Sequence, residues 1–140
     1  YVNDAPQVST WGEAADAIRA ANEAFYPGFG PNDWDKFARR VFVEDADGSL
    51  RPDCDPGIGK AMQAAGGGPT EMWPIFEGLK LIPALVLRGE LSDLLSEQGV
   101  DRMVEQKPDL QRATIPRRGH VPDLSEPESL AAIDAFFSGL

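Results

Sequence analysis

The chain has 140 residues, a formal net charge of −10 and a single cysteine, Cys54. That length allows one compact domain and excludes a large multidomain machine, and one cysteine excludes an internal disulfide. With 13 basic residues facing 23 acidic ones, spread evenly over both halves, there is no clustered Lys/Arg surface for nucleic acid. Hydrophobic residues make up 42% of the chain, enough for a packed core. No apolar run is long enough for a membrane span, and YVNDAPQVST lacks the basic-then-apolar pattern of a signal peptide, so a cytoplasmic location is the default expectation. The chain starts at Tyr1 and not at Met, which reads as a processed chain or one cut from something longer.

Tyr1 to Val8 reads as the exit of a strand followed by a Pro6 loop. Thr10 and Glu13 form a T-x-x-E capping box, and Trp11, Ala14, Ala15, Ile18, Ala21 and Phe25 repeat behind it at helical spacing. Pro27, Gly28, Gly30 and Pro31 break that helix. Trp34, Phe37, Ala38, Val41 and Phe42 then form the apolar stripe of a second one. In VEDADGSLRPDCDP the Asp47-Gly48 step predicts a tight hairpin. The acidic residues of this stretch do not have the spacing of a calcium loop. Gly66, Gly67 and Gly68 before Pro69 read as a flexible joint, and a short helix is expected over 70–79.

The pattern then changes. Leu81 to Leu87 is continuously apolar, as in a parallel strand covered on both faces, with Pro83 near its start. Ser96 caps a helix expected over 97–106, and a weaker strand follows over 110–115. Ser125 and Glu128 make a second capping box, opening a final helix with Leu130, Ile133, Phe136, Phe137 and Leu140 on its apolar face. Strand–helix–strand–helix order predicts a right-handed parallel crossover.

In such a unit both strands end on one edge of the sheet, where ligands bind. Asp93 follows the first strand in RGELSD, and His120, the only histidine, follows the second in IPRRGHVP. The crossover brings them to neighbouring loops despite their separation in sequence. A carboxylate that orients an imidazole through one ring N–H leaves the other nitrogen as a base, which is the acid–base half of a hydrolytic triad. Gly119 lets the loop approach closely and Pro122 stiffens it. A lone histidine after a strand is otherwise an ordinary loop residue. Glu90 rivals Asp93 as the acid, and Arg117-Arg118 reads as a solvated basic pair.

The stretches PALVLRGELSDLLS and RATIPRRGHVPDLSEPESLAAIDAFF resemble the C-terminal end of the α/β-hydrolase fold. There the triad acid follows the penultimate core strand, and the triad histidine follows the last strand in a G-H-x-P-x-L-x-E-P-E-like context. The resemblance matches Asp93 to the acid, in the S-D step, and His120 to the base. DADGSLRPDCDP and MWPIFEGLKLIPALVLRG resemble the family's helical cap and its return to the core, and YVNDAPQ resembles the exit of the preceding strand. The implied organisation is a strand end over 1–8, a helical cap over 9–79 and the C-terminal part of the core over 80–140. The implied fold class is α/β, with parallel strands, flanking helices and an α-helical cap.

No G-x-S-x-G occurs in the sequence. The resemblance therefore puts the nucleophile elbow and the oxyanion hole in an N-terminal half upstream of Tyr1. Ser96 and Ser125 are better explained as caps, and Ser92 lies beside the acid in no elbow. The implied activity is hydrolysis of an ester or a related acyl or C–C bond by a nucleophile–His–Asp triad, of which this chain supplies two members, with no metal or cofactor. The implied partners are a small apolar or acyl substrate and the missing half of the fold or a complementing chain. Among the aromatic residues, Tyr26, Phe29, Trp34 and Trp73 are the candidates for lining a substrate pocket, although such stripes more often serve helix packing. The alternative is a non-catalytic protein of the same fold that binds an apolar ligand or a partner. Lacking an oxyanion hole, the 140 residues alone are expected to give no measurable turnover of a para-nitrophenyl ester; turnover by the pure chain would overturn this reading.

Overall fold

A computed structural model describes residues 7–55, 57–64, 66 and 71–140. The expected strand exit before Pro6 and most of the glycine joint lie outside the described residues. The chain divides into two units. One falls within Tyr1–Glu23 and Gly28–Thr70, and the other comprises Ala24–Pro27 and Glu71–Leu140.

The first unit is built from two helices, a hairpin and a short third helix. Helix α1 spans Trp11–Asn22. Thr10 Oγ accepts the Glu13 N–H at 3.2 Å, while the Glu13 carboxylate takes the Ser9 N–H at 2.7 Å, one residue before the expected box partner. Helix α2 spans Pro31–Val41. It starts where Pro31 can sit without an N–H partner, and the Asp33 carboxylate accepts the Gly30 N–H at 2.9 Å. Strand β1, Phe42–Glu44, takes over directly, so the last apolar residue of the expected helix is already extended. It pairs antiparallel with β2, Leu50–Pro52, around the predicted Asp47-Gly48 turn. The Ser49 hydroxyl and amide both donate to Asp47, and these bonds hold its carboxyl below the ordinary range. Helix α3 spans Gly57–Ala64. Ala14 and Ala38, both fully buried, let α1 and α2 approach closely, and Phe42 completes this core. Around it pack Trp11, Ile18, Val41 and Leu50.

The second unit carries helix α4, Trp73–Glu77, strand β3, Leu85–Gly89, helix α5, Glu97–Gln106, strand β4, Gln111–Ile115, and helix α6, Pro127–Ser138. Strands β3 and β4 pair in parallel from Leu85↔Gln111 to Gly89↔Ile115, as the crossover pattern predicts, and α6 packs on both. Three boundaries differ from the sequence reading. The expected strand at Leu81 starts only at Leu85, because the Ile82 N–H closes a turn on Leu79 O at 2.9 Å, Leu81 is 97% exposed and Pro83 has no N–H for a ladder. Helix α4 is a single short turn grouped with the strands and not with the region before it. Helix α6 starts behind Glu126, not Ser125, because Pro127 takes the first helical position. The Ser125 hydroxyl instead donates to the Asp123 carboxylate. By contrast, Ser96 caps α5 as read, its Oγ accepting the Gly99 N–H at 3.0 Å.

Two buried charges fix the edges of this unit. Lys107, 2% exposed, donates to the Lys80 carbonyl at 3.3 Å and to the Asp109 carboxylate at 2.9 Å, and that bond holds the Asp109 carboxyl below its ordinary range. Glu126, 5% exposed, uses both oxygens. Oε1 accepts Arg118 Nε at 2.7 Å and the Asp123 N–H at 2.9 Å, and Oε2 accepts the Ser129 hydroxyl at 2.8 Å. Burial alone would push the Glu126 carboxyl up. The hydrogen bonds from its own backbone, Ser129 and Arg118 outweigh that, and the net position lies below the ordinary glutamate value.

Because the folded carboxyl is depressed, its contribution is complete above the ordinary glutamate range and is lost as pH falls through the folded value. We therefore expect Glu126→Gln to flatten the acid limb of a stability–pH curve measured by urea denaturation. Glu126→Ala, which strands the Arg118 charge and two further donors, should cost about 3 kcal/mol at neutral pH. An unchanged acid limb in Glu126→Gln would remove the assignment.

Candidate active site

The edge where β3 and β4 end is shaped by backbone packing. A Cβ on Gly89 would collide with the carbonyl oxygens of Gly119 and Arg118, so only glycine lets the turn after β4 cross the end of β3. That crossing is sewn by three hydrogen bonds. Glu90 N–H donates to Ile115 O at 2.9 Å, Leu91 N–H donates to Arg118 O at 2.8 Å, and Arg117 N–H donates to the Glu90 carboxylate at 2.8 Å. Arg117 itself takes a left-handed conformation, φ 54°. Glu90, the rival acid, thus accepts a backbone N–H of the turn.

His120 emerges from this crossing, exposed, with its Nδ1 3.1 Å from Ser92 Oγ. Ser92 is itself fixed, because its Oγ accepts the Leu95 N–H at 3.0 Å and its N–H donates to Gly89 O at 3.0 Å. The loop after β3 therefore does reach the imidazole, as the sequence argument requires. The group at Nδ1 is Ser92 and not the expected Asp93. Asp93 is the next residue, exposed, and no hydrogen bond joins it to His120 among the described residues. Ser92 thus engages Nδ1 as donor or acceptor according to the tautomer, and in the tautomer protonated at Nδ1 the accepting ring nitrogen is Nε2.

On its other side the histidine loop meets the segment 24–27. The Gly119 N–H donates to Phe25 O at 2.7 Å, and Tyr26 donates its hydroxyl to Val121 O at 2.6 Å. Tyr26 is 7% exposed, its ring covered by the protein. Trp73 is half-buried, edge-on to Phe76 and capped by the Arg102 guanidinium 4.1 Å from its ring centre. In the first unit Trp34 is buried between Phe29 (5.1 Å, edge-on) and Phe37 (6.3 Å, stacked), which is packing; Phe29 is half-buried. Among the described residues no group of three or more His, Cys, Asp or Glu side chains is placed to hold a metal ion, and no helix is long and apolar enough to cross a membrane.

Two features escaped the sequence reading. Ser92 is weighed there only as a nucleophile and set aside, because an S-D step points to the carboxylate as the partner of the histidine. Glu126 was hidden by Ser125, a better intrinsic cap, although the Glu-Pro step at 126–127 was a usable signal.

No family model matches the chain. It is similar over its full length to an α/β hydrolase from Novosphingobium aromaticivorans, with 37% identity and a TM-score of 0.88, and covers 50% of that chain. It also superposes on a putative hydrolase from Rickettsia typhi with a TM-score of 0.74 and 18% identity, covering 96% of this chain and 44% of the other. E-2-(acetamidomethylene)succinate hydrolase gives a TM-score of 0.72 and 22% identity, over 95% of this chain and 47% of the other. Over 77 residues the chain is 34% identical to a 3-hydroxybutyrate-oligomer hydrolase from Cupriavidus necator, which is 55% of this chain and 26% of that protein. The chain thus spans about half the length of the solved structures it matches. The parallel pair of β3 and β4 with its flanking helices agrees with these likenesses, and the chain belongs to the α/β-hydrolase fold family, of which it carries part of the fold.

Proposed function

We propose that this chain supplies the base, and the acid that offsets its positive charge, to a hydrolase cleaving an ester or a related acyl or C–C bond. The observation that carries the reading is the contact between the two strand-end loops, which holds His120 by Nδ1 with Ser92 Oγ at 3.1 Å. In the proposed mechanism His120 Nε2 takes the proton of a nucleophile, returns it to the leaving group, and then activates water. The nucleophile and oxyanion donors come from a part of the fold that these 140 residues do not encode, or from a complementing chain. Asp93, beside Ser92 in the same loop, is the acid that offsets the imidazolium charge. The similarity to a hydrolase of 3-hydroxybutyrate oligomers supports an acyl bond and makes such oligomers a substrate to try.

The helical region of α1 to α3 is proposed as the family's cap, and Phe29 in the first unit and Trp73 in the second, both half-buried, remain the candidates for contact with an apolar substrate. Exposed apolar side chains of the second unit, Leu81, Leu94 and Phe137 among them, form the surface that the remainder of the fold would cover. A second reading is favoured by one contact: Ser92, not Asp93, is the working partner of Nδ1.

In the full-length protein, with para-nitrophenyl acyl esters and 3-hydroxybutyrate oligomers as substrates, His120→Ala should lower kcat by on the order of 10⁴-fold or more. A variant that keeps the parent rate would overturn the reading. Asp93→Asn should cost on the order of 10³-fold or more, and Ser92→Ala less than about tenfold. The reverse ranking would assign Nδ1 to Ser92.

A further inference from the structure

We propose that Tyr26 is a positioning residue for His120, and that the segment Ala24–Pro27 is a strap that fixes the backbone on which the imidazole stands. The inference rests on the reading of His120 as the base and goes beyond it, because it concerns how a base on an irregular loop is kept in register.

The two residues flanking His120 are both tied to this segment. Gly119, before it, donates its N–H to Phe25 O at 2.7 Å, and Val121, after it, accepts the Tyr26 hydroxyl at 2.6 Å. The attachments are about 95 residues away in sequence, so they are not local turn bonds. A Cβ on Gly119 would overlap the Cβ of Phe25, so the glycine preceding the histidine is required by the strap itself. The segment lies in sequence between α1 and α2, yet it belongs to the unit of β3, β4 and α6. Chain connectivity would place it with the helices of the first unit; its contacts with the histidine loop place it here.

Chemistry gives the strap a purpose. Ser92 controls the rotation of the imidazole about its side-chain bonds, because it touches Nδ1. It does not control the position of the His120 Cα, which carries the whole ring. Arg117 and Leu124, at φ 54° and 64°, show that the loop departs from regular geometry on both sides of the histidine. A loop of this kind holds one shape only if its polar groups are used, and the bonds at 119 and 121 use one on each side. Tyr26 suits the task because a buried phenol gives one directional hydrogen bond from a rigid ring. A residue lining a pocket would turn that hydroxyl toward ligand; here it is spent on a main-chain carbonyl.

The test uses the full-length protein, with His120→Gln as reference. Tyr26→Phe removes one oxygen and keeps the ring. We expect kcat to fall by about ten- to a hundredfold with KM changed by less than about twofold, the signature of a displaced base and not of lost substrate contact. With labelled histidine, the ring signal that disappears in His120→Gln should broaden or split in Tyr26→Phe. In the unmutated protein the Gly119 amide should exchange with deuterium at least about a hundredfold more slowly than an open loop amide. An unchanged kcat in Tyr26→Phe beside an inactive His120→Gln overturns the strap alone, as does a loss confined to KM or rapid exchange at Gly119. An active His120→Gln overturns the reading of the histidine itself.

Discussion

Gly89 and Gly119 bring two stretches of main chain together at a distance that no side chain on Gly89 would permit. Strands β3 and β4 run parallel only as far as this point, and the turn after β4 folds back across the end of β3 instead of leaving the sheet. Everything that the site does follows from that fold-back. It places the Arg118 carbonyl on the Leu91 N–H and the Arg117 N–H on Glu90, and it brings the loop carrying Ser92 under the ring of His120. Parallel strands alone supply a common edge. The glycine crossing narrows that edge to hydrogen-bonding distance.

The outer side of the histidine loop is held by a different kind of force. Glu126 is almost wholly buried, and a buried carboxylate is costly unless its lone pairs are filled. Arg118, Asp123 and Ser129 fill them, so the charge is tolerated and three parts of the chain are drawn to one point: the turn after β4, the loop beyond His120 and the first turn of α6. Glu126 also stands at the N-terminus of α6, where a negative charge meets the helix dipole favourably. Exposed pairs elsewhere, such as Arg19 with Glu23 or Arg39 with Asp35, are ordinary surface contacts of little energetic weight. The contrast matters, because it sets the loop bearing the histidine on a buried anchor and not on the surface.

Much of this was legible in the residues. Periodicity located α1 and α2, the Ser96 cap located α5, the Asp47-Gly48 step located the hairpin, and the strand-end positions of Asp93 and His120 identified the edge of interest. The misses have physical causes. Apolar character alone extended β3 back to Leu81, whereas Pro83 and the turn closed on Leu79 decide where pairing can begin. Serine at 125 outranked glutamate at 126 by intrinsic capping preference, but Pro127 fixes the register of the helix and hands the cap to the residue before it. The partner of Nδ1 was the least legible feature. Ser92 and Asp93 are adjacent, and choosing between neighbours depends on loop geometry that no spacing rule encodes.

That adjacency separates two tasks usually assigned to one residue. Orienting an imidazole requires only a fixed hydrogen-bond partner at Nδ1, and a hydroxyl anchored by a main-chain N–H, as Ser92 is by Leu95, provides one. Offsetting the imidazolium that forms when Nε2 takes a proton requires negative charge, which a neutral hydroxyl lacks. In the proposed mechanism that charge belongs to Asp93, the next residue, exposed and on the same loop. At the water-exposed surface such an unbonded charge is worth little, and its effect grows steeply as water is excluded. The two side chains of the S-D step therefore answer to different conditions. In the proposed mechanism serine sets the ring's direction by a direct contact, and aspartate contributes its full weight only once water is excluded.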